Sequence, residues 1–381
     1  MTATKLGSRH VIGGCQLSFK APFISRSDYL KLPLSERFKR TIELTGPEEE
    51  RAAQLHKKLL SIDLHTHITT HHEESGWEKD RERLWNSGVS CLFEAQDHLL
   101  NPAEDFQVTL EQIGSTQAML KQDLGFILAL SAEDIRRAKR EQKEAVMLQL
   151  EPQTIGPVAD RVDIAHNLGV RCMLLTFNSR NFLGDGCGEK SNAGLSNLGF
   201  DVVERMNKVG MLIDLSHCGE RTTLDAIEAS KGPVLINHAG ARALNPEMSR
   251  LKNDEQIHAL AEKHGVFGVS GIPNQLSKAK RQGIHDVLNH VDYVVKLIGV
   301  NHVAIGLDIC FDDHVAFHRS LLKKLMRGTG QQLNAEYMEG IESPEEWPNI
   351  TRGLVSRGYS DQEIEKIIGG NALRIIEQVV G

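Results

Sequence analysis

The chain has 381 residues, of which 40% are apolar and 25% are charged, and its formal net charge at pH 7 is −7. This composition is typical of a globular protein, and its acidic balance argues against a protein built to bind a phosphate backbone. No apolar run approaches the roughly 20 residues that span a bilayer, so a membrane-spanning helix is not expected.

The N-terminus lacks the apolar core of a signal peptide. VIGGC around Cys15 is weakly similar to a lipoprotein cleavage site, but the preceding TKLGSRH is polar. The six cysteines form no CxxC pair, and Cys91 and Cys172 lie inside apolar runs. Buried thiols of this kind are typical of a reducing compartment. We therefore expect a cytoplasmic protein.

Residues 1–57 form a predicted N-terminal extension, and residues 58–381 form one predicted domain. The extension contains short apolar groups interrupted by Pro22 and Pro33. At its end, PEEERAAQLHKKL predicts a helix capped by Thr45, with acidic residues in its first turn.

Beyond the extension, short apolar runs alternate with helical patterns. The eight runs are SIDLH, GVSCLFEA, AVMLQLE, GVRCMLLTF, GMLIDLSH, GPVLINH, GVFGVSG and HVAIGLD. Eight buried parallel strands alternating with helices over roughly 250 residues predict a (β/α)₈ TIM barrel. The additional run GFILALS is a predicted accessory strand. A doubly wound open sheet is the alternative, but no GxGxxG follows the first strand.

After Phe311 the pattern becomes helical. FDDHVAFHRSLLKKLMRG and the tail from EEWPNITRG to the C-terminus predict helices that pack on the barrel and close it. Asp361 is the predicted cap of the helix that begins in SDQEIEKII.

Five of the eight runs end in polar residues. In a barrel of this type, the active site lies at these carboxyl ends of the strands. A single residue of this kind has an ordinary structural explanation, as a hydrogen-bonded loop residue or a turn cap. Together, four imidazoles and two carboxylates would converge on one mouth and suit Zn²⁺ or a related divalent ion. Two histidines at i and i+2 also point to the same side of an extended chain. These residues are His65, His67, Glu151, His217, His238 and Asp308.

The same part of the chain resembles a known family. The block from GLSNLGFDVVERMNKVG to GPVLINHAGARAL is similar, almost step for step, to the renal (membrane) dipeptidase family of the amidohydrolase superfamily. The resemblance covers about residues 60–310. It implies a metal-dependent hydrolase with two zinc ions per chain on a (β/α)₈ barrel.

The resemblance also implies a role for each site residue. His65 and His67 would bind one ion, His217 and His238 would bind the other, and Glu151 would bridge the two. A metal-bridging hydroxide would attack the scissile carbonyl. Asp308 would be the acid/base, and Arg250 would receive the carboxylate of the substrate.

Two positions depart from the family pattern. The first motif reads HxH rather than HxD, and His67 can still bind zinc. The fourth run ends in LLTFN where the family has LTHN, so Phe177 replaces an imidazole that helps polarise the scissile carbonyl. Asn178 and Arg180 are candidates to supply the missing donor, with loop solvation as the alternative for both.

Three functions remain open at this stage. The first is hydrolysis of a dipeptide or a related small amide with a free carboxylate. The second is a metal-dependent reaction on a non-peptide substrate, such as another amide or a carbon–carbon bond in a small acid. The third is a non-catalytic metal-binding barrel. We expect a small-molecule partner, no nucleic acid and no membrane, and a homodimer is compatible with the sequence.

Overall fold

The computed structural model describes residues 19–67, 77–96, 105–122, 125–151, 155–310, 313, 315–316 and 326–381. Most of the helix predicted from FDDHVAFHRSLLKKLMRG lies outside the described residues.

The sheet is a nearly closed barrel in which every strand pair is parallel. The strands in chain order are β1 (Ile62–His67), β2 (Cys91–Gln96), β3 (Phe126–Leu128), β4 (Glu144–Leu150), β5 (Val170–Leu174), β6 (Leu212–Asp214), β7 (Leu235–Ala239), β8 (Val266–Val269), β9 (Gln282–Gly283), β10 (Val303–Ile305), β11 (Ile309–Cys310) and β12 (Met338–Glu339). The barrel order is β10-β8-β7-β6-β5-β4-β2-β1-β11, while β9 and β12 form a separate pair.

Two short strands on either side of Asp308 complete the sheet: β10 lies within the eighth predicted run, and β11 follows the end of that run. Strand β10 pairs with β8, and β11, which follows it, pairs with β1. Each of the eight predicted runs contains a barrel strand, so the (β/α)₈ prediction is confirmed. The accessory run GFILALS contains β3, which pairs with β4 but is not one of the strands in the barrel order.

Helices surround the barrel. They are α1 (Arg26–Leu30), α2 (Leu34–Thr41), α3 (Gly46–Lys58), α4 (Trp77–Ser87), α5 (Asp105–Gln122), α6 (Ala132–Arg140), α7 (Arg161–Asn167), α8 (Asn197–Val209), α9 (Glu220–Ala229), α10 (Asp254–Glu262), α11 (Ile284–Ile298), α12 (Pro348–Ser356), α13 (Asp361–Glu365) and α14 (Asn371–Val379). A π-helical turn, Lys366–Gly370, joins α13 to α14.

Alternate residues of the strands enter two different hydrophobic clusters. In β4, Ala145 and Met147 belong to one cluster, while Val146 and Leu148 belong to the other. This division follows from the two-residue period of a strand, and it requires both faces to be apolar. The continuous apolar runs in the sequence have this physical cause.

The helix caps agree with the sequence at one predicted position and differ at another. Thr45 caps α3 as predicted, and its backbone N–H donates to the Glu48 carboxylate at 2.8 Å. The prediction of Asp361 as a cap is wrong. Ser360 caps α13, accepts from the backbone N–H of Glu363 and leaves Asp361 as the first helical residue. A serine hydroxyl reaches that N–H from an extended backbone, which is the usual capping geometry.

The N-terminal segment is more regular than its sequence indicated, because it contains helices α1 and α2. These helices contact the chain segment before α12 through charged side chains. Arg40 Nε donates to Glu339 at 2.8 Å, and Arg26 pairs with Glu342. The Tyr29 hydroxyl donates to Glu346 and accepts from the backbone N–H of Gly340. This segment therefore packs directly on the C-terminal part of the chain.

Candidate metal centre

His65 and His67 lie at the carboxyl end of β1, with their Nε2 atoms 3.2 Å apart. Both side chains point to the same side because they are two residues apart on a strand. Asp63 fixes the strand end, since its carboxylate accepts from the backbone N–H groups of His65 and Leu307 and from Trp347 Nε1. Burial raises the pKa of Asp63 to about 7.

His217 and His238 form a second imidazole pair on neighbouring strands. His217 follows β6 and His238 lies in β7, and their Nε2 atoms are 3.0 Å apart. The ring of His238 also stacks on His65, with 3.9 Å between ring centroids. The two pairs are thus in direct contact.

Two carboxylates complete the cluster. Asp308 lies 3.2 Å from His67 Nε2, 3.7 Å from His65 Nε2 and 3.6 Å from His238 Nε2. Glu151, directly after β4, lies 3.8 Å from His65 Nε2. The structure therefore brings together all six residues that the sequence placed at strand ends.

Asp308 has an unusual backbone conformation. Its φ of 58° lies in the left-handed region, which is uncommon for residues other than glycine. The chain turns here between β10 and β11, and the N–H of Asp308 donates to the carbonyl of His65 at 2.9 Å. Strained conformations of this kind persist where surrounding contacts impose them, and they are concentrated at functional sites. Here the strain places the carboxylate over the imidazoles.

Side-chain amides hold the outer edges of the imidazoles. Asn178 Oδ1 lies 2.8 Å from His217 Nδ1, and Asn237 Oδ1 accepts from His238 Nδ1. An amide oxygen at Nδ1 places the ring proton there and leaves the lone pair at Nε2. His65 differs, because its Nδ1 faces the NH₂ groups of Gln149 and Asn237 at 3.1 and 3.3 Å and accepts from them. All three amide residues are buried.

The protonation states suit metal binding. Burial lowers the pKa of His65 and His238 well below the usual histidine range, and neighbouring imidazoles and Arg250 lower it further. Both rings are therefore neutral near pH 7, which is the form that binds metal.

Arg250, expected to receive a substrate carboxylate, lies behind the second imidazole pair. Its side chain is buried, and its Nη atoms donate to the backbone carbonyls of Ser216 and His238 at 2.6 and 2.5 Å. Among the described residues, its Nε has no hydrogen-bond partner. Arg250 thus connects the chain beside His217 to the backbone of His238.

The three candidate residues after β5 have different environments. Phe177 is partly buried and stacks on His217, with ring centroids 4.1 Å apart and an interplanar angle of 21°. Asn178 lies behind His217, as described above. Arg180 is more than half exposed and bonds Asp185 and Ser191 in its own loop. Neither polar side chain occupies the place of an imidazole at position 177.

The donor set fits one or more divalent ions. His65, His238 and Asp308 each present a ligand atom within 4.8 Å of the other two. His67, His217 and Glu151 lie next to this group, through contacts of 3.2, 3.0 and 3.8 Å respectively. Neutral imidazole with carboxylate is the donor set that zinc prefers. Asp308 is close enough to act as a ligand in addition to its expected role as acid/base.

Sequence reasoning missed the residues that orient the imidazoles. Gln149 and Asn237 are polar residues within the apolar runs AVMLQLE and GPVLINH. A polar side chain inside a strand buried on both faces requires a partner, and this was the signal that could have identified them.

The fold and the centre together define a class of protein, the metal-dependent amidohydrolase barrels, in which ligands gather at the carboxyl ends of the strands. The chain belongs to one family of this class. The family model for membrane dipeptidase (Peptidase family M19) matches residues 49–333 and 328–380.

Individual relatives carry related names. Dipeptidase tcpJ of Claviceps purpurea is 29% identical over 256 residues, which cover 66% of this chain and 55% of the relative. Dipeptidase aclJ of Aspergillus oryzae is 31% identical over 229 residues, which cover 59% of this chain and 49% of the relative. The chain therefore spans about half the length of the curated relatives it matches.

Solved structures share the fold over nearly their full length. An amidohydrolase from Pseudomonas aeruginosa has a TM-score of 0.77 and 26% identity, covering 86% of this chain and 98% of that chain. A metallopeptidase from Rhodobacter sphaeroides, liganded with a phosphinate mimic of the dipeptide L-Ala-D-Ala, has a TM-score of 0.69 and 18% identity, covering 84% and 99% respectively. Within the described ranges, no helix is long and apolar enough to cross a membrane.

Proposed function

We propose that this protein is a metal-dependent hydrolase that cleaves the amide bond of a dipeptide or of a related small amide with a free carboxylate. The convergence of four imidazoles and two carboxylates at the mouth of the barrel carries this proposal. Membership in the membrane dipeptidase family supports the same reaction. We propose zinc as the metal and two ions per chain, because the imidazoles form two contacting pairs.

The residues that would hold the ions follow from this pairing. His65 and His67 would hold one ion, His217 and His238 the other, and Glu151 would lie between them. Bound zinc would act as a Lewis acid on the scissile carbonyl and would make water acidic enough to attack it near neutral pH.

Asp308 is the proposed proton carrier. Its carboxylate faces three of the imidazoles and is held there by the bond from its own N–H to the carbonyl of His65. One oxygen can accept a proton from the attacking water and return it to the leaving amine. General acid/base catalysis of this kind contributes about 10²–10⁴ in rate.

Substrate binding is proposed at two positions beside the ions. Arg250 would receive the carboxylate, as the family resemblance implies, while its Nη atoms also hold two backbone carbonyls. Phe177 forms an apolar wall against His217, and such a surface suits a bulky apolar group next to the scissile bond.

A second candidate function follows from the same aromatic wall. Asn178 and Arg180 are bonded away from position 177, so neither polar side chain restores the lost imidazole. A metal-dependent reaction on a non-peptide substrate, such as another amide or a carbon–carbon bond in a small acid, is therefore the second candidate.

Metal analysis and a substrate panel test these proposals. Purified protein incubated with zinc and then desalted should contain about two ions per chain, and the His217→Ala variant about one. Dipeptides and N-acyl amino acids should be turned over only with metal present. His56→Gln is a matched control, because His56 bonds Ser87 and Thr351 instead of the cluster. Full turnover after exhaustive chelation would contradict the hypothesis of a metal-dependent hydrolase.

A further inference from the structure

Asn178 has contacts that separate it from an ordinary loop residue. It is 1% exposed, and its Oδ1 lies 2.8 Å from His217 Nδ1. The sequence offered it as a donor to substrate, yet its polar group is directed at the outer edge of a metal-ligand imidazole.

The surroundings of the amide determine which end faces the imidazole. The Cys187 thiol lies 3.1 Å from the same oxygen, and Nδ2 lies 3.4 Å from Met326 Sδ. A thioether sulfur only accepts, so it suits the NH₂ end, while a thiol and an imidazole N–H both donate to the oxygen end. This arrangement holds the proton of His217 at Nδ1 and its lone pair at Nε2.

The backbone holds the two residues in fixed relation. Cys187 N–H donates to the carbonyl of His217 at 2.8 Å, and Gly188 N–H donates to the carbonyl of Asn178 at 2.8 Å. A Cβ at Gly186 would lie 2.4 Å from the carbonyl carbon of Asn178, so only glycine permits this close return of the loop. The amide is therefore presented to His217 by a rigid turn.

We propose that Asn178 is a positioning residue that fixes the tautomer and ring orientation of His217 for metal binding, rather than a donor to substrate. This inference rests on the proposed metal-dependent function. Asn237 does the same for His238, so neutral amides support both imidazoles of the second pair. A neutral acceptor polarises an imidazole less than a carboxylate does, which leaves the bound ion more weakly held and more electrophilic.

Three variants test the proposal through zinc affinity, measured by competition with a chromophoric chelator. Asn178→Leu removes the acceptor at similar volume and should weaken zinc binding by about 10–100-fold. Asn178→Asp keeps an acceptor at the same place and should bind zinc more tightly than the wild type. Met326→Leu removes only the acceptor at the NH₂ end and keeps Oδ1, so it should weaken zinc binding less than Asn178→Leu does. The absorption spectrum of the Co²⁺-loaded protein should change in Asn178→Leu, because the coordination geometry changes.

Several results would overturn the inference. Wild-type zinc affinity in Asn178→Leu would show that the amide does not position His217. Zinc binding by Asn178→Asp that is weaker than in the wild type would show that acceptance at Oδ1 is not what matters, and this variant decides alone if Asn178→Leu does not fold. A wild-type chain that binds no zinc would instead remove the proposed function itself, which is a different failure.

Discussion

Asp308 is the single residue on which the proposed chemistry depends most. Its left-handed backbone holds the carboxylate within 3.7 Å of the imidazoles of His65 and His67. We expect Asp308→Asn to lower kcat by roughly 10² or more, the usual scale for a lost general acid/base, with most of the metal retained. Steady-state kinetics and metal analysis on the same preparation measure both quantities. Near wild-type turnover in the folded variant would exclude Asp308 from proton transfer.

Phe177 stands at the candidate site where the family pattern has a histidine. An aromatic ring cannot donate a hydrogen bond to a developing oxyanion, and losing one such donor costs about 10²–10³ in kcat. We therefore expect Ala-Ala-sized dipeptides to be poor substrates and amides with a bulky apolar group to be better ones. Phe177→His should raise kcat on small dipeptides by about tenfold or more. Phe177→Leu, the matched control, should not.

Efficient hydrolysis of small dipeptides by the wild type would contradict this interpretation of Phe177. Hydrolysis of Ala-Ala with kcat/KM of about 10⁴ M⁻¹s⁻¹ or above lies within the usual enzyme range. It would show that another group supplies the missing donor.

At the scale of elements, Arg250 ties the loop after β6 to strand β7. Its Nη atoms hold the carbonyls of Ser216 and His238, and each hydrogen bond from a charged group contributes about 1.5–3 kcal/mol. Arg250→Ala should therefore loosen the second imidazole pair and weaken zinc binding by about tenfold or more. Measuring both zinc affinity and KM distinguishes the role of Arg250 in holding the imidazole pair from its role in binding the substrate carboxylate. A raised KM for carboxylate substrates with unchanged zinc affinity would leave substrate binding as its only role.

Helix α11 supports the loop after β7 through a buried histidine that is sensitive to pH. Ala241 N–H donates to His290 Nδ1 at 2.9 Å, so the ring donates from Nε2 to the carbonyl of Leu276. Protonation at Nδ1 would place its N–H against the N–H of Ala241. Burial lowers the pKa of His290 to about 4. The unfolded chain, with an ordinary histidine pKa near 6.5, therefore binds more protons between these two values.

The folded state consequently loses stability as pH falls from about 6.5 toward 4, by at most about 1.4 kcal/mol per pH unit from this group. Chemical denaturation of the wild type and His290→Gln across this range measures the effect. The variant should show a smaller loss of stability on acidification, while His258→Gln, at an exposed position of α10, should follow the wild type. Equal pH dependence in wild type and His290→Gln would contradict the assignment.

For the whole molecule, the metal centre joins strands that lie far apart in the chain. Its ligand candidates come from the ends of β1, β4, β6, β7 and β10, so they are close together only in the closed barrel. A ligand that binds only the folded state stabilises it by about 2.7 kcal/mol at one hundred times its Kd. Zinc at that concentration should raise Tm by a few degrees, measured by calorimetry. His217→Ala should show a smaller rise, and no rise in the wild type would contradict a preformed centre.

Much of the architecture was predictable because it depends on local patterns. Each of the eight apolar runs of strand length forms a strand of the barrel, and the strand-end rule selected the six residues that the structure brings together. The cap of α13 was misplaced by one residue, and helices α1 and α2 were missed. The two failures have different causes. Helices α1 and α2 depend on partners distant in the chain, such as Glu346 beside Tyr29. The cap is a local contact between the Ser360 hydroxyl and the N–H of Glu363, in a Ser-x-x-Glu pattern that the sequence already contained.

The sequence by itself determined the barrel, because burying each strand on both faces requires a continuous apolar run, and it determined which residue types stand at the strand ends. Tertiary structure alone decided the directions of the polar atoms. Only the closed barrel places Asn178 behind His217 and ties Arg250 to two carbonyls, and it also forces Asp308 into a left-handed turn. Spacing along a chain limits which residues can meet, whereas hydrogen-bond geometry between distant segments exists only after the segments have packed.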